Sequence, residues 1–108
     1  MLNDLKIMLG LSVSDNDMDD KLNIILENTK ARLKILLGGI EVPESLNHIV
    51  MEVSIIRFNR IGSEGLSTHS VEGESLGFNE NDFTQYQNEI DAYLESLKDS
   101  KRGRLRFL

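Results

Sequence analysis

The 108-residue chain has no cysteine. That removes a disulfide framework, thiol catalysis and any cysteine-ligated zinc site. Histidine is nearly as scarce: His48 and His69 are the only two, and they form no ligand-spaced cluster. A single proline, Pro43, interrupts the chain. No apolar run approaches the roughly 18 residues of a membrane span. The first ten residues carry Asp4 and Lys6 inside an apolar pattern, which reads poorly as a secretory signal. The expectation is a chain with no membrane association, kept in the cytosol or built into an assembly there.

What is present has globular proportions: 40% hydrophobic and 28% charged residues, in a length suited to one domain. The charge is uneven. The chain holds 12 Lys and Arg against 18 Asp and Glu, a formal net charge of −6. Residues 98–108 carry five bases (Lys98, Lys101, Arg102, Arg104, Arg106) and one acid (Asp99), a local +4. The other 97 residues hold seven bases and seventeen acids, or −10. Such a body repels polyanions, so a protein that coats nucleic acid with its main surface is excluded. The basic segment is the part suited to docking.

Leu and Ile together supply 26 residues, and their spacing is helical. A first helix is predicted over residues 3–9, with Leu2, Leu5, Met8 and Leu9 on one side and Gly10 as its stop. A second, over residues 15–37, repeats Leu22, Ile25, Leu26, Thr29, Leu33, Leu36 and Leu37 at steps of three and four. Acids crowd its first turn, Lys30, Arg32 and Lys34 follow later, and Gly38-Gly39 ends it, as the helix dipole and stop signals favour. A third opens at Pro43-Glu44 and closes at Gly62. Leu46, Ile49, Val50, Val53 and Ile56 form one stripe, and Met51, Ile55 and Phe58 a second. Apolar on two sides, it is expected to be central or shared with a neighbouring subunit. A fourth, over residues 80–97, presents Phe83, Tyr86, Ile90, Tyr93, Leu94 and Leu97.

Residues 62–78 form a long polar stretch with four glycines. Loops of that length in compact domains tend to be functional. Residues 66–71 and 75–78 have the pattern of a small hairpin around Glu72-Gly73-Glu74, which on its own is marginal and needs a partner surface. The fold class expected is all-α: a four-helix bundle over residues 1–97, a long loop or small β-hairpin between helices 3 and 4, and an extended basic C-terminal tail over 98–108.

Sites of chemistry were weighed against plainer readings. Asp15-Asn16-Asp17-Met18-Asp19-Asp20 has the look of a calcium loop, but the sixth position is Asp20 where glycine is required, and the twelfth is Leu26 in place of a bidentate glutamate. Acids at a helix start explain the run better. His48 lies one turn from Glu44 and Glu52 and reads as a structural or surface histidine. His69 and Ser70 are neighbours, which in extended chain point to opposite faces, so they make no catalytic pair. No nucleophile elbow, P-loop or dinucleotide fingerprint is present. No enzyme, cofactor or metal is expected.

The tail carries Leu105, Phe107 and Leu108 among its arginines, which solubility alone does not require. Docking on a partner protein is the preferred reading. A solvated terminus and nucleic-acid binding stay open as alternatives.

Four stretches together resemble the small head–tail connector (adaptor) proteins of long-tailed bacteriophages and prophages. They are the opening helix ending Leu9-Gly10-Leu11, the acidic start Asp19-Asp20-Lys21-Leu22 of a long helix, Val42-Pro43-Glu44-Ser45-Leu46, and Arg57-Phe58-Asn59-Arg60-Ile61-Gly62-Ser63-Glu64-Gly65-Leu66-Ser67 with its following Gly/Ser stretch and Phe78. The resemblance implies a structural, ring-forming protein, twelve-fold by family likeness. It would lie in the virion neck between the portal protein and a downstream neck or tail-completion protein, assembled in the host cytoplasm. DNA would pass through its channel without specific binding. The likeness implies portal contacts at Lys101, Arg102, Arg104, Leu105, Arg106 and Phe107. It marks Arg60, Gly62, Glu64, Gly65, Leu66, Ser67, His69, Val71 and Phe78 for the subunit interface or channel. The alternative is a small helical DNA-binding regulator or antitoxin, which the basic tail favours. Against it, no helix clusters Arg and Lys on one exposed face.

Overall fold

The computed structural model describes the backbone of residues 1–64 and 80–106, and the side chains of 1–61 and 81–98. All regular structure among them is helical: α1 (Leu2–Met8), α2 (Asp19–Leu36), a 3-10 turn (Glu44–Leu46) leading into α3 (Asn47–Glu64), and a 3-10 segment (Glu80–Tyr86) leading into α4 (Gln87–Arg106). The all-α class therefore holds. The hairpin expected between helices 3 and 4 lies outside the described residues.

The stops of α1 and α2 follow from glycine. After α1, Gly10 takes φ +79°, its N–H bonds the Ile7 carbonyl at 3.0 Å, and the Leu11 N–H bonds the Lys6 carbonyl at 2.8 Å. After α2, Gly38 takes φ +84°, with Gly38 N–H to Ile35 O at 3.0 Å and Gly39 N–H to Lys34 O at 2.9 Å. Both are Schellman closures, in which a left-handed residue lets two following amides satisfy the helix's last carbonyls.

The start of α2 differs from expectation. It begins at Asp19 rather than at residue 15, because the Asp15 carboxylate accepts the Asp17 N–H at 3.0 Å and holds the intervening residues in turns. This local side-chain bond competes with helix for the same backbone donors. At the other end of the chain, α4 runs on through Arg106, so the tail expected to be extended from residue 98 is helical up to that point. Its Lys, Arg and Leu residues are good helix formers, and their positive charge sits where the helix dipole is negative. The third helix likewise does not close at Gly62 but includes it and ends at Glu64. A glycine in a last turn costs a helix only about 1 kcal/mol.

The core joins Leu5 of α1, Leu22, Leu26 and Leu33 of α2 with Leu37 just beyond it, Leu46, Ile49, Val50 and Val53 at and within α3, and Phe83, Tyr86 and Ile90 from the last third of the chain. The face of α2 read from the sequence is the face that is buried, except Leu36, which is exposed at the end of the helix. Helix α3 packs against α2 and α1 and against the 3-10 segment before α4. Helix α4 reaches the core through Ile90, with Tyr93 and Leu94 packed beside it. Residues 95–98, which follow, are exposed.

One buried polar side chain was read only as a break in an apolar pattern. Lys6 is almost fully buried; its Nζ lies 2.6 Å from Asp19 Oδ1 and donates to the Val13 carbonyl at 3.1 Å. The ammonium thereby ties α1 to the start of α2. Burial of a charge is tolerated when it is both paired and hydrogen-bonded.

Candidate assembly site

The base of the 62–78 stretch is built from three elements. Arg57 and Arg60 stand one turn apart on α3, so both side chains reach the same neighbour. That neighbour is Asp82, in the 3-10 segment on the far side of the stretch. Arg57 Nε donates to Asp82 Oδ2 at 3.0 Å, while Arg60 donates through Nη1 to Oδ2 at 3.1 Å and through Nη2 to Oδ1 at 2.5 Å. Thr29 in the middle of α2 completes the set: Arg57 Nη1 donates to its Oγ1 at 3.2 Å, and that hydroxyl donates to the Ile25 carbonyl at 2.7 Å. The Arg57 guanidinium also lies over the Phe83 ring, 5.5 Å from its centroid, a favourable cation–π distance.

Burial separates the roles of the two arginines. The side chains of Arg57 and Asp82 are 3% and 4% exposed, whereas Arg60 is 28% exposed. Arg57 and Asp82 form a desolvated pair inside the protein. Arg60 closes it from the rim and joins the two ends of the long stretch, 22 residues apart in sequence. Both guanidiniums thus bond the buried Asp82 carboxylate.

Two further contacts fasten the start of α4 to α3. The Tyr86 hydroxyl donates to Glu52 Oε1 at 2.7 Å, and His48 Nε2 lies 2.6 Å from Glu89 Oε1. Burial, then the bond to Glu52 and the negative charges of Glu52 and Glu89, push the Tyr86 hydroxyl well above its ordinary pKa of 10.0, since each disfavours a phenolate. His48 occupies the polar flank assigned to it and serves as a surface pairing residue.

Of the residues marked for the subunit interface or channel, Arg60 sits at the base just described. Gly62 and Glu64 lie on the backbone of the last turn of α3. Gly65, Leu66, Ser67, His69, Val71 and Phe78 lie outside the described residues. Lys101, Arg102, Arg104, Leu105 and Arg106 are on the helical backbone of α4, and Phe107 lies outside. The sequence reading did not identify the partnership of Arg57, Asp82 and Thr29. Its one signal was the placement of Arg57 among the apolar positions of α3, where a charge must find a buried partner.

Among the described residues no cluster of His, Asp and Glu is arranged to hold a metal ion, and no helix is long and apolar enough to cross a membrane. The polar groups brought together are a guanidinium–carboxylate cluster and surface pairs, which fix geometry. Among the described residues these features define a small helical protein whose Arg57–Asp82–Thr29 cluster joins its own elements. Residues 1–93 match the family model described as phage gp6-like head-tail connector protein, and the chain belongs to that family. No curated protein and no solved structure matches the chain. The family is structural rather than enzymatic, and its members work with other phage head and tail proteins. A structural role as a phage head–tail connector follows for this chain.

Proposed function

We propose that copies of this chain assemble as a ring between the portal protein and the next neck or tail protein, and that the ring extends the DNA channel. The observation that carries this reading is the family match across residues 1–93. The charge division supports it. A body of −10 per copy lines a channel with like charge, so packaged DNA slides past without being held. Salt confines that field to about 8–10 Å of the surface. The twelve-fold order and the place in the neck come from the family resemblance and belong to the same proposal.

In this reading the segment from residue 98 docks on the portal. With α4 continuing to Arg106, docking uses a basic helix laid on a partner groove, with Lys101, Arg102, Arg104, Leu105 and Arg106 as contacts. Phe107 is a further candidate contact. Arg60 and residues 62–78 face a neighbouring subunit or the channel, and the Arg60–Asp82 bond fixes the base of that stretch.

Light scattering and electron microscopy of the purified chain, with and without portal protein, test the assembly. The expected result is a monomer or weak associate at low concentration, and a ring at high concentration or on portal. A tight closed dimer under all conditions refutes it. Deleting residues 98–108 is expected to leave the core intact and abolish portal binding; unchanged binding refutes the docking assignment.

A further inference from the structure

Helix α2 has a second apolar side. Ile24, Asn28, Ala31 and Ile35 follow at steps of four, three and four, opposite the buried Leu22, Leu26, Thr29 and Leu33. All four are exposed, Ile24 to 52% and Ile35 to 64%. Scattered exposed apolar residues are ordinary, but this spacing is that of a seam on a helix that packs against another helix, and the Asn28 amide within it is satisfied by the Ile24 carbonyl at 3.0 Å.

A complementary surface exists on the same chain. An open groove of about 330 Å³ lies between α1 and α3, lined by Met1, Asp4, Asn47, His48 and Met51. Beyond the groove, the half-buried Ile55 and Phe58 follow Met51 on α3 at steps of four and three, so this side repeats the same seam spacing. Methionine suits an adaptable docking floor. The charges match as well. One edge of the α2 seam carries Lys21 and Arg32 and the other carries Asp20 and Glu27, whereas the α3 seam is edged by Glu52 and the neighbouring Glu89. Only antiparallel docking sets the Lys21 and Arg32 edge beside Glu52; parallel docking turns it toward Asn47. Antiparallel packing also sets the helix dipoles favourably.

We infer that the outer seam of α2 in one copy docks antiparallel into the α1–α3 groove and the Met51, Ile55 and Phe58 seam of the next copy. Two different faces meet, so the contact is heterologous and propagates to a ring where the rotation closes. This deepens the ring reading and rests on it. A seam about three turns long is smaller than a standard interface of roughly 1,200–2,000 Å². Single contacts are therefore weak, and closure stabilises the whole.

The absence of native cysteine makes the test clean. Ile35→Cys and Met51→Cys are made separately and together in the full chain and treated with a short bismaleimide under ring-forming conditions. Mixed single variants are expected to give an I35C–M51C dimer, and the double variant a ladder of covalent oligomers, while neither single variant alone cross-links. An exposed-site variant, Ile35→Asp, is expected to keep the wild-type melting temperature and raise the concentration needed for assembly about tenfold or more. I35C homodimers, or rings that form without any I35C–M51C product, overturn the interface. So does an Ile35→Asp variant that folds and assembles like wild type. A wild-type chain that forms no ring, alone or on portal, overturns the ring reading itself, and the interface falls with it.

Discussion

Replacing Asp82 by alanine removes a carboxylate that both Arg57 and Arg60 bond. Arg57 keeps its bond to Thr29 and its place over Phe83, but its guanidinium, 3% exposed, loses the buried carboxylate 3.0 Å from its Nε. Breaking a buried ion pair in this way costs about 3–5 kcal/mol. Arg60 is more exposed and turns to solvent, so Arg60→Ala alone is expected to cost about 1 kcal/mol. Asp82→Asn retains a carboxamide oxygen to accept from one arginine and is expected to cost about 1.5–3 kcal/mol. Against a domain stability of roughly 5–15 kcal/mol, the alanine variant loses a large share. Urea unfolding followed by far-ultraviolet circular dichroism measures each difference, with an unchanged slope as the sign that the same unit unfolds. The pair Arg57→Ala and Asp82→Ala should lose well under the sum of the single variants, because each alone strands the other's charge. A cost below about 1 kcal/mol for Asp82→Ala, with an additive double variant, refutes the buried pairing.

Other expectations follow from the same contacts. Because the Tyr86 hydroxyl titrates higher in the folded protein than its ordinary 10.0, the protonated form is favoured by folding; that stability is full below pH 10 and declines as pH rises beyond it. Tyr86→Phe should remove this alkaline loss and cost about 1–2 kcal/mol at neutral pH, and parallel melting curves from pH 8 to 11.5 check both. Gly38→Ala forces a side chain into φ +84°, although the space around it is open; a loss of about 1–2 kcal/mol is expected by chemical denaturation. In a mobility-shift assay at physiological salt the chain should not retard duplex DNA, since the −10 body outweighs the basic end of α4 and Arg57 and Arg60 bond Asp82. Salt-dependent retardation would favour the regulator alternative.

The features legible in the sequence are those governed by neighbours a few residues apart. The buried stripe of α2, the apolar character of α3, and the stops at Gly10 and Gly38 depend on helical period and on backbone freedom, both local. The connector likeness was also readable, since it rests on stretches such as Val42-Pro43-Glu44 and Arg57 through Ser67. Where the reading slipped, a specific competing bond or a continued propensity explains it. Asp15 captured the Asp17 amide and delayed α2 to Asp19. The residues after Leu97 kept helix-forming character, so α4 ran on to Arg106.

Composition and periodicity by themselves settled a cysteine-free chain built mainly on helices, with an acidic body and a basic end, because apolar residues at every third or fourth position leave little choice of secondary structure. Tertiary structure alone decided which charges meet. Lys6 with Asp19, Arg57 and Arg60 with Asp82, Tyr86 with Glu52, and His48 with Glu89 are separated by 13 to 41 residues. No local rule selects among so many possible partners. Each pairing exists because packing the helices removes those groups from bulk water, or brings them together at its edge, and in the buried cases an unpaired charge would cost more than the fold can sustain.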